Sequence, residues 1–259
     1  MGDIIKQHLL NTLSNGLRLD ERKFEDFREI FVEYGISSKS AEGSARVKIG
    51  RTEVVAGVKL DVAEPYPDNP DEGTIIVNME LLPLSSPAFE SGPPSIASIE
   101  MSRVVDRVIR ESKSLDFKKL CIKKGEFMWT VLIDIYPINN DGNLFDAASL
   151  AAIAALKDAR FPKLDKDNKV DYNEKTSKKL PLESEALACT VLKIGNYFIV
   201  DPSVDEESAA DARLTVGVLE NGTLCSLQKG EDVALSIDDI DKMVDIAIKK
   251  TKDLRRALK

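Results

Sequence analysis

The chain has 259 residues, a formal net charge of −8 and a single histidine. Its 43% hydrophobic and 31% charged residues are typical of a globular protein with a proper core. The negative charge argues against a protein that coats nucleic acid over its whole surface, although it allows one basic patch.

Targeting and redox signals are equally limited. No apolar run is long enough to cross a bilayer, and the first residues lack a signal-peptide pattern, so we expect a cytoplasmic protein without membrane contact. The three cysteines, Cys121, Cys189 and Cys225, lie in apolar strand-like segments. We expect buried free thiols rather than a disulfide or a metal site. His8, in an N-terminal amphipathic segment, is a poor starting point for a catalytic triad.

Hydrophobic periodicity predicts a helix, a run of strands and two further helices in the first 160 residues. Gly50-Arg51 suits a two-residue hairpin turn, and the last of these helices is so rich in alanine that it must pack tightly on both sides. The predicted elements are helices at 3–14, 95–112 and 145–160, and strands at 30–34, 44–49, 52–60, 74–82, 119–123 and 127–136.

The rest of the chain repeats the order of strands followed by a helix, which is an α+β pattern. Asn221-Gly222 is the strongest hairpin signal, and Ser236 caps the terminal helix. Strands are predicted at 186–194, 197–200, 213–219 and 223–228, and the helix at 236–258. We predict an N-terminal helix and arm at 1–28, a first domain at 29–163, a polar Lys/Asp-rich linker at 164–183 and a second domain at 184–259.

The segment from Asp141 to Asp146 opens the alanine-rich helix with a glycine turn. Free N–H groups and the helix dipole make such a turn suitable for phosphate. However, Leu144 and Phe145 offer no side-chain donor, and the charge of Asp146 would repel an anion. The architecture therefore suits phosphate, while the side chains do not.

Three arginines, Arg103, Arg107 and Arg110, share one stripe of the helix at 95–112, because their spacing is i, i+4, i+7. Such a stripe can clamp consecutive backbone phosphates through bidentate hydrogen bonds. A solvated face with local pairs to Asp106 and Glu111 is the alternative, and spacing alone favours it.

The acidic segment from Asp201 to Asp211 could hold a divalent cation through oxygen ligands. It lacks the central glycine and the twelfth-position glutamate of an EF-hand. A solvated loop without a metal is therefore the favoured interpretation.

Several pieces in the same order resemble the RNase PH family of phosphorolytic RNA exonucleases, from about Arg18 to Ala257. They are the Arg-x-Asp-x-Arg stretch at 18–22, the hairpin at 43–54, the Arg-Val-Val-Asp-Arg helix segment at 103–107 and the Asp-Gly turn at 141–142. The resemblance implies an RNase PH-like fold with two sheet-and-helix lobes. The first would be like domain 2 of ribosomal protein S5, and the second would be smaller.

The chain departs from this family at its catalytic positions. Active members follow Asp-Gly with Gly, Ser or Thr, and Arg, which hold the attacking phosphate; this chain has Asn143, Leu144 and Phe145. Active members also carry two aspartates, for metal binding and acid catalysis, where this chain has Glu207 and Arg213. We therefore predict no catalytic residue, no metal and no cofactor.

This pattern most resembles the non-catalytic RNase PH-like subunit of the archaeal exosome. The resemblance implies a hexameric ring of three heterodimers with a catalytic sister subunit, an RNA-binding cap subunit and RNA in the channel. It also implies that Arg103 and Arg107, with Arg110 beside them, contact RNA near the sister's active site. The rival hypotheses are an active homo-oligomeric phosphorolytic exonuclease and a small-molecule enzyme on a similar frame. The single histidine and the lack of a nucleophile–base pair weigh against the latter.

Overall fold

The computed structural model describes residues 2–166 and 168–259. Its helices are α1 (Gly2–Ser14), α2 (Ile96–Glu111), α3 (Leu144–Asp158), α4 (Val204–Ser208) and α5 (Ile237–Arg256). Its strands are β1 (Ile30–Tyr34), β2 (Gly43–Ile49), β3 (Thr52–Ala63), β4 (Thr74–Met79), β5 (Cys121–Lys123), β6 (Phe127–Asn139), β7 (Arg160–Leu164), β8 (Val170–Lys179), β9 (Leu187–Ile194), β10 (Tyr197–Val200), β11 (Ala212–Val218) and β12 (Leu224–Gly230). A 3-10 turn, Phe117–Leu120, precedes β5.

The first sheet has the strand order β1-β2-β3-β6-β4, and β5 also pairs with β6. All its pairs are antiparallel except β4 with β6. Ile49 pairs with Thr52 across the Gly50-Arg51 turn, so the predicted hairpin is confirmed. Residues facing inward along β3 alternate with half-buried ones, as expected for a sheet with one core face.

The second sheet is antiparallel, with the order β10-β9-β11-β12. Gly195-Asn196 connects β9 to β10, and the loop containing Asn221-Gly222 connects β11 to β12, so both predicted hairpins form. Helix α5 lies against β9 and β11 and buries Met243, Ala247 and Leu254.

Helix α3 lies between the two sheets and contacts β2 and β3 on one side and β9 on the other. Every residue from 144 to 156 is buried, and a single hydrophobic cluster joins side chains of both lobes. Alanine allows backbones to approach closely on all sides of a helix. The contacts of α3 with both sheets confirm the predicted two-sided packing. Helix α2 buries Val104, Val105, Val108 and Ile109 and contacts β4, β12 and α3.

The segment 164–183, predicted as a linker, contains most of a β-hairpin. Strand β8 pairs antiparallel with β7, with Arg160 opposite Lys179 and Leu164 opposite Val170. The polar composition concealed this pairing, because few side chains of the hairpin are buried. The segment is therefore a paired hairpin instead of an unstructured linker, and the domain boundaries stay predictions.

Helix α1 buries Leu9 and Leu13, and Leu13 packs against Ile194 and Ile199 of the second sheet. None of the helices in residues 2–166 and 168–259 is long and apolar enough to cross a membrane. All three cysteines are free; Cys189 is buried and the other two are half-buried.

Gly43 marks the closest approach of β2 to α3. A Cβ atom at this position would lie 2.4 Å from the Ala155 carbonyl oxygen and 2.5 Å from two backbone atoms of Ala159. Gly57, on the neighbouring strand, has only Ala41 Cβ in reach, at 3.8 Å.

We predict that Gly43→Ala lowers the free energy of unfolding by about 1–3 kcal/mol, because backbone must move to accept the methyl group. The matched variant Gly57→Ala leaves stability unchanged or raises it by up to about 1 kcal/mol. Urea denaturation of both variants checks this, and equal destabilisation would contradict it.

Candidate functional site

The turn between β6 and α3 uses two residues with left-handed backbone. Gly142 has φ 85° and Asn143, the residue that precedes the helix, has φ 61°. A Cβ atom on Gly142 would lie 2.3 Å from the Pro202 carbonyl oxygen and 2.7 Å from Ser203 C. Glycine is therefore required both for the conformation and for the approach of the second lobe.

Two N–H groups of the turn that precedes α3 are already bonded within the chain. The Asn143 N–H donates to Glu207 Oε1 at 2.8 Å, and the Gly142 N–H donates to Asn140 Oδ1 at 3.1 Å. A carboxylate thus occupies the position at the start of α3 where an anion is favoured. This carboxyl group belongs to the protein's own second lobe.

The side chains after the turn fill the rest of the space. Leu144 and Phe145 are 2% and 4% exposed. The Arg213 guanidinium lies over the Phe145 ring, 4.0 Å from its centroid, and Nη2 of Arg213 donates to Glu100 Oε1 at 2.5 Å. The four degenerate positions predicted from the sequence, Leu144, Phe145, Glu207 and Arg213, are therefore brought together.

Burial controls the ionisation of the two acids beside the turn. It raises the pKa of Glu207 from 4.5 to about 7, although the Asn143 N–H and the nearby Arg213 oppose the shift. Burial also raises the pKa of Asp146 well above its ordinary value, and Asp146 Oδ1 accepts the Thr190 N–H. Asp146 is fully buried, and its burial disfavours the charged form that we expected to repel an anion.

These positions do not fit a divalent cation. One Glu207 oxygen accepts a backbone N–H, and a guanidinium stands at position 213. Across the described residues, no group of three or more His, Cys, Asp or Glu side chains is arranged to hold a metal ion.

The acidic loop that follows β10 is not a solvated loop, contrary to our expectation. The Asp201 side chain is fully buried and accepts bonds from Arg22 Nη1 at 2.8 Å and from Arg28 Nε and Nη2 at 2.9 and 2.7 Å. Asn143 Nδ2 also donates to Asp201, at 2.9 Å. Burial opposes ionisation, yet the hydrogen bonds and charge of Arg28 hold the pKa of Asp201 below its ordinary value.

A second buried ion pair extends this network into the N-terminal arm. Arg18 donates through Nε and Nη2 to the two carboxylate oxygens of Glu206, at 2.9 and 2.5 Å. It also donates to the carbonyl oxygens of Val200 and Asp201, both at 2.8 Å. Glu206 in turn accepts the Ser203 N–H in a capping box at the start of α4.

The three arginines of α2 have different surroundings. Arg103 is exposed and makes no ion pair with any described residue, and exposed Arg107 donates to Gln228 Oε1 at 3.2 Å. Arg110 is half-buried, forms two hydrogen bonds with Asp106 and donates to the Ile75 carbonyl oxygen. The local pairing that we weighed as an alternative is therefore found for Arg110 only.

Several residues of the site were not predicted from the sequence. Glu100, on the arginine face of α2, bonds to Arg213, which covers Phe145 in the segment 141–145, called here the filled turn. Gln228 of β12 contacts Arg107. Arg28 binds the Asp141 carboxylate and carbonyl groups as well as Asp201. These contacts join residues 113 to 173 positions apart, and no local pattern signals them.

Comparisons with known proteins give one family. The model of domain 1 of the 3′ exoribonuclease family, RNase PH, matches residues 26–162, and the model of domain 2 matches residues 185–250. Residues 163–184, which hold most of the β7–β8 hairpin, fall between the two matches.

Individual relatives agree over nearly the full length. The chain is 46% identical to the exosome complex component Rrp42 of Methanothermobacter thermautotrophicus, covering 97% of this chain and 93% of that protein. It is also 46% identical to that of Methanocella arvoryzae, covering 100% and 96%. A chain in the structure of the Archaeoglobus fulgidus exosome with RNA bound to the active site superposes with a TM-score of 0.92 at 43% identity, covering 100% of this chain and 99% of that one. A chain of an archaeal exosome core gives 0.87 at 39% identity, covering 99% and 97%.

We predict that Glu207→Gln removes part of the pH dependence of stability. When folding raises the pKa of an acid from 4.5 to about 7, the free energy of unfolding of the protein falls as pH rises from 4.5 to about 7. Gln retains an acceptor for the Asn143 N–H but cannot ionise. The free energy of unfolding of the variant minus that of the natural protein should therefore increase across this range, by up to about 3 kcal/mol.

Denaturant titrations at pH 5, 6, 7 and 8 measure this difference directly. Asp205→Gln, on the same short helix and exposed, is the control and should leave the pH profile unchanged. A constant difference between Glu207→Gln and the natural protein would contradict the raised pKa.

Proposed function

Because this chain belongs to the RNase PH family of 3′ exoribonucleases, we propose that it is a non-catalytic, RNA-positioning subunit of an exosome of the archaeal type. The observation that carries the proposal is the filled phosphate turn. Its N–H donor at the start of α3 is bonded to Glu207, and Phe145 with the stacked Arg213 occupies the adjoining space.

Phosphorolysis needs a bound phosphate as nucleophile and an acid to assist departure of the RNA oxygen. In this chain the anion position holds a carboxylate, and the matching acid position holds Arg213, which cannot donate a proton at neutral pH. The chain's own residues therefore supply neither requirement.

Helix α2 supplies the RNA contact in this proposal. Arg103 and Arg107 project from its exposed side, one turn apart, and their guanidinium groups can each hold a phosphate oxygen pair. They carry no base-reading partner, so binding should tolerate sequence and weaken with salt. Glu100 connects this face to the filled turn, so RNA on α2 would pass beside the former active site.

The same proposal requires partners. We infer a catalytic sister subunit in a ring of three heterodimers, with an RNA-binding cap subunit, as the resemblance implies. Large apolar side chains that remain exposed on the single chain support such interfaces, since isolated proteins rarely leave extensive apolar surface uncovered. Examples are Ile96 at 88%, Ile237 at 79%, Leu84 at 73% and Phe31 at 54%.

We predict that the purified chain, incubated with RNA, phosphate and magnesium, releases no nucleoside diphosphates. The ring assembled with the catalytic sister does release them. The double variant Leu144→Ser/Phe145→Arg stays inactive, because Glu207 and Arg213 still occupy the anion and acid positions. Chromatography of the products measures this, and diphosphate release by the chain alone would favour the rival, an active homo-oligomer.

We predict that Arg103→Ala with Arg107→Ala weakens RNA binding by the assembled ring about tenfold or more at low salt, since each guanidinium contact is charge-assisted. The slope of log affinity against log salt should fall by about 1.4, or about 0.7 for each lost phosphate contact. Fluorescence anisotropy at several salt concentrations measures both quantities.

Lys123→Ala with Lys124→Ala is the matched control, because it removes the same charge from exposed positions at the end of β5 and in the turn that follows. Native mass spectrometry verifies that each variant still assembles. Unchanged RNA binding by the arginine variant, with the ring intact, would show that α2 is not the RNA site.

A further inference from the structure

A cavity of about 560 Å³ opens beside the C-terminal end of α2. Its walls come from the loop that leads into β4, from the end of α2 with the 3-10 turn that follows it, and from Glu183. The volume lies within the range of about 300–1,000 Å³ that is usual for small-ligand sites. None of its lining residues belongs to the filled turn at the start of α3.

Two aromatic rings line this cavity. Tyr66 stands between Pro65 and Pro67 and is 59% exposed, although a large ring gains by burial. Phe117 lies half-buried at the start of the 3-10 turn, and the Arg110 guanidinium lies 5.9 Å from its ring centroid. The flanking prolines restrict the Tyr66 loop, so a partner of this ring meets little loss of backbone entropy on binding.

Three cationic and three acidic side chains line the cavity, and they differ in how they are paired. Lys113 and Lys118 are exposed and form no ion pair with any residue that the structure describes. The carboxylates of Asp116 and Glu183 are both bonded to Lys119. Glu72 is the remaining acidic lining residue, and Arg110, which also lines the cavity, keeps Nη1 without a hydrogen bond to a described residue.

Lys113 occupies a backbone position that normally favours glycine. Its φ is 54°, and the Lys113 and Ser114 N–H groups close the end of α2 by donating to Arg110 and Ile109 carbonyl oxygens. A lysine in left-handed backbone is costlier than a glycine there. Lys113 also lines the cavity.

We propose that this cavity holds one unpaired nucleotide of the RNA, with its base against Tyr66 and Phe117 and its phosphate beside Lys113 and Lys118. Stacking rings combined with unpaired cations are the features that bind single-stranded nucleic acid without sequence preference. A simple anion would leave the rings unused, and an apolar ligand would leave the cations unused.

This inference rests on the proposed RNA-positioning function, because it extends the same RNA path. Arg110 is both a lining residue of the cavity and the third member of the α2 stripe that begins with Arg103 and Arg107. A strand lying along α2 would therefore reach the cavity one turn beyond Arg107. The same chemistry would suit a free nucleoside monophosphate, which the experiment must distinguish.

The test uses the assembled ring and a fluorescent, unstructured oligoadenylate, with binding measured by anisotropy. Tyr66→Ala should weaken binding about tenfold, and Tyr66→Phe should restore it to within about twofold, because stacking needs the ring and not the hydroxyl. Tyr172→Ala, which removes another exposed tyrosine on the β7–β8 hairpin, is the matched control and should have no effect.

Lys113→Gly gives an independent variant that should not unfold the chain, since glycine suits the left-handed backbone. It should reduce the salt slope of oligoadenylate binding by about 0.7, as expected for one phosphate contact. A slope equal to that of the natural protein would overturn the assignment of the phosphate position.

Each outcome discriminates between the cavity and the wider function. Unchanged binding by Tyr66→Ala, together with weakened binding by Arg103→Ala/Arg107→Ala, overturns the cavity and leaves the proposed function standing. Unchanged binding by both variants overturns both. Adenosine monophosphate that binds the ring in a Tyr66-dependent manner, while Tyr66→Ala leaves oligoadenylate binding unchanged, would assign the cavity to free nucleotides and also overturn the proposal.

Discussion

The buried carboxylate of Asp201 is the contact on which the arrangement of the two lobes depends. It receives Arg22 and Arg28 from the N-terminal arm and Asn143 from the start of α3, while its own backbone follows β10 of the second sheet. Removing one partner from a buried ion pair leaves the other charge without solvation, which costs about 3–5 kcal/mol. The arm, the turn and the second lobe therefore meet at this carboxylate, and the Arg18–Glu206 pair and the Asn143–Glu207 bond lie in the same network.

The contacts of Asp201 join residues that are distant in the chain, whereas the sequence predicts mainly local structure. All helices except the short α4 and most strands follow from hydrophobic periodicity. The predicted bounds of α2, 95–112, and of α3, 145–160, differ from the observed bounds by one or two residues. The prediction for the acidic loop failed for a physical reason. An acidic run is usually solvated, but here Asp201 binds two arginines that lie 179 and 173 positions earlier in the chain. The β7–β8 hairpin was not predicted, because its pairing involves backbone groups and hardly any buried side chains.

The candidate site shows the same division. Sequence resemblance identified Leu144, Phe145, Glu207 and Arg213 as departures from an active site, and the structure brings them together. The resemblance could not show that these four residues stabilise one another's positions. A bare helix start with an unsatisfied N–H would be costly, whereas the Glu207 carboxyl group satisfies this donor and lies within electrostatic reach of Arg213. The phosphate position is therefore lost through several mutually dependent contacts, and no single side chain blocks it.

The distribution of arginines gives a further reason to regard α2 as a binding surface. The chain carries 44 acidic residues against 36 lysines and arginines, so a carboxylate is usually available to pair with a cation. Arg18, Arg22, Arg28 and Arg213 all have such partners, and so does Arg110. On the same helix Glu100 and Asp106 bind Arg213 and Arg110 instead of Arg103 and Arg107. In an acidic protein two neighbouring guanidinium groups without carboxylate partners concentrate positive potential on one face, which is the electrostatic condition for attracting a phosphate backbone.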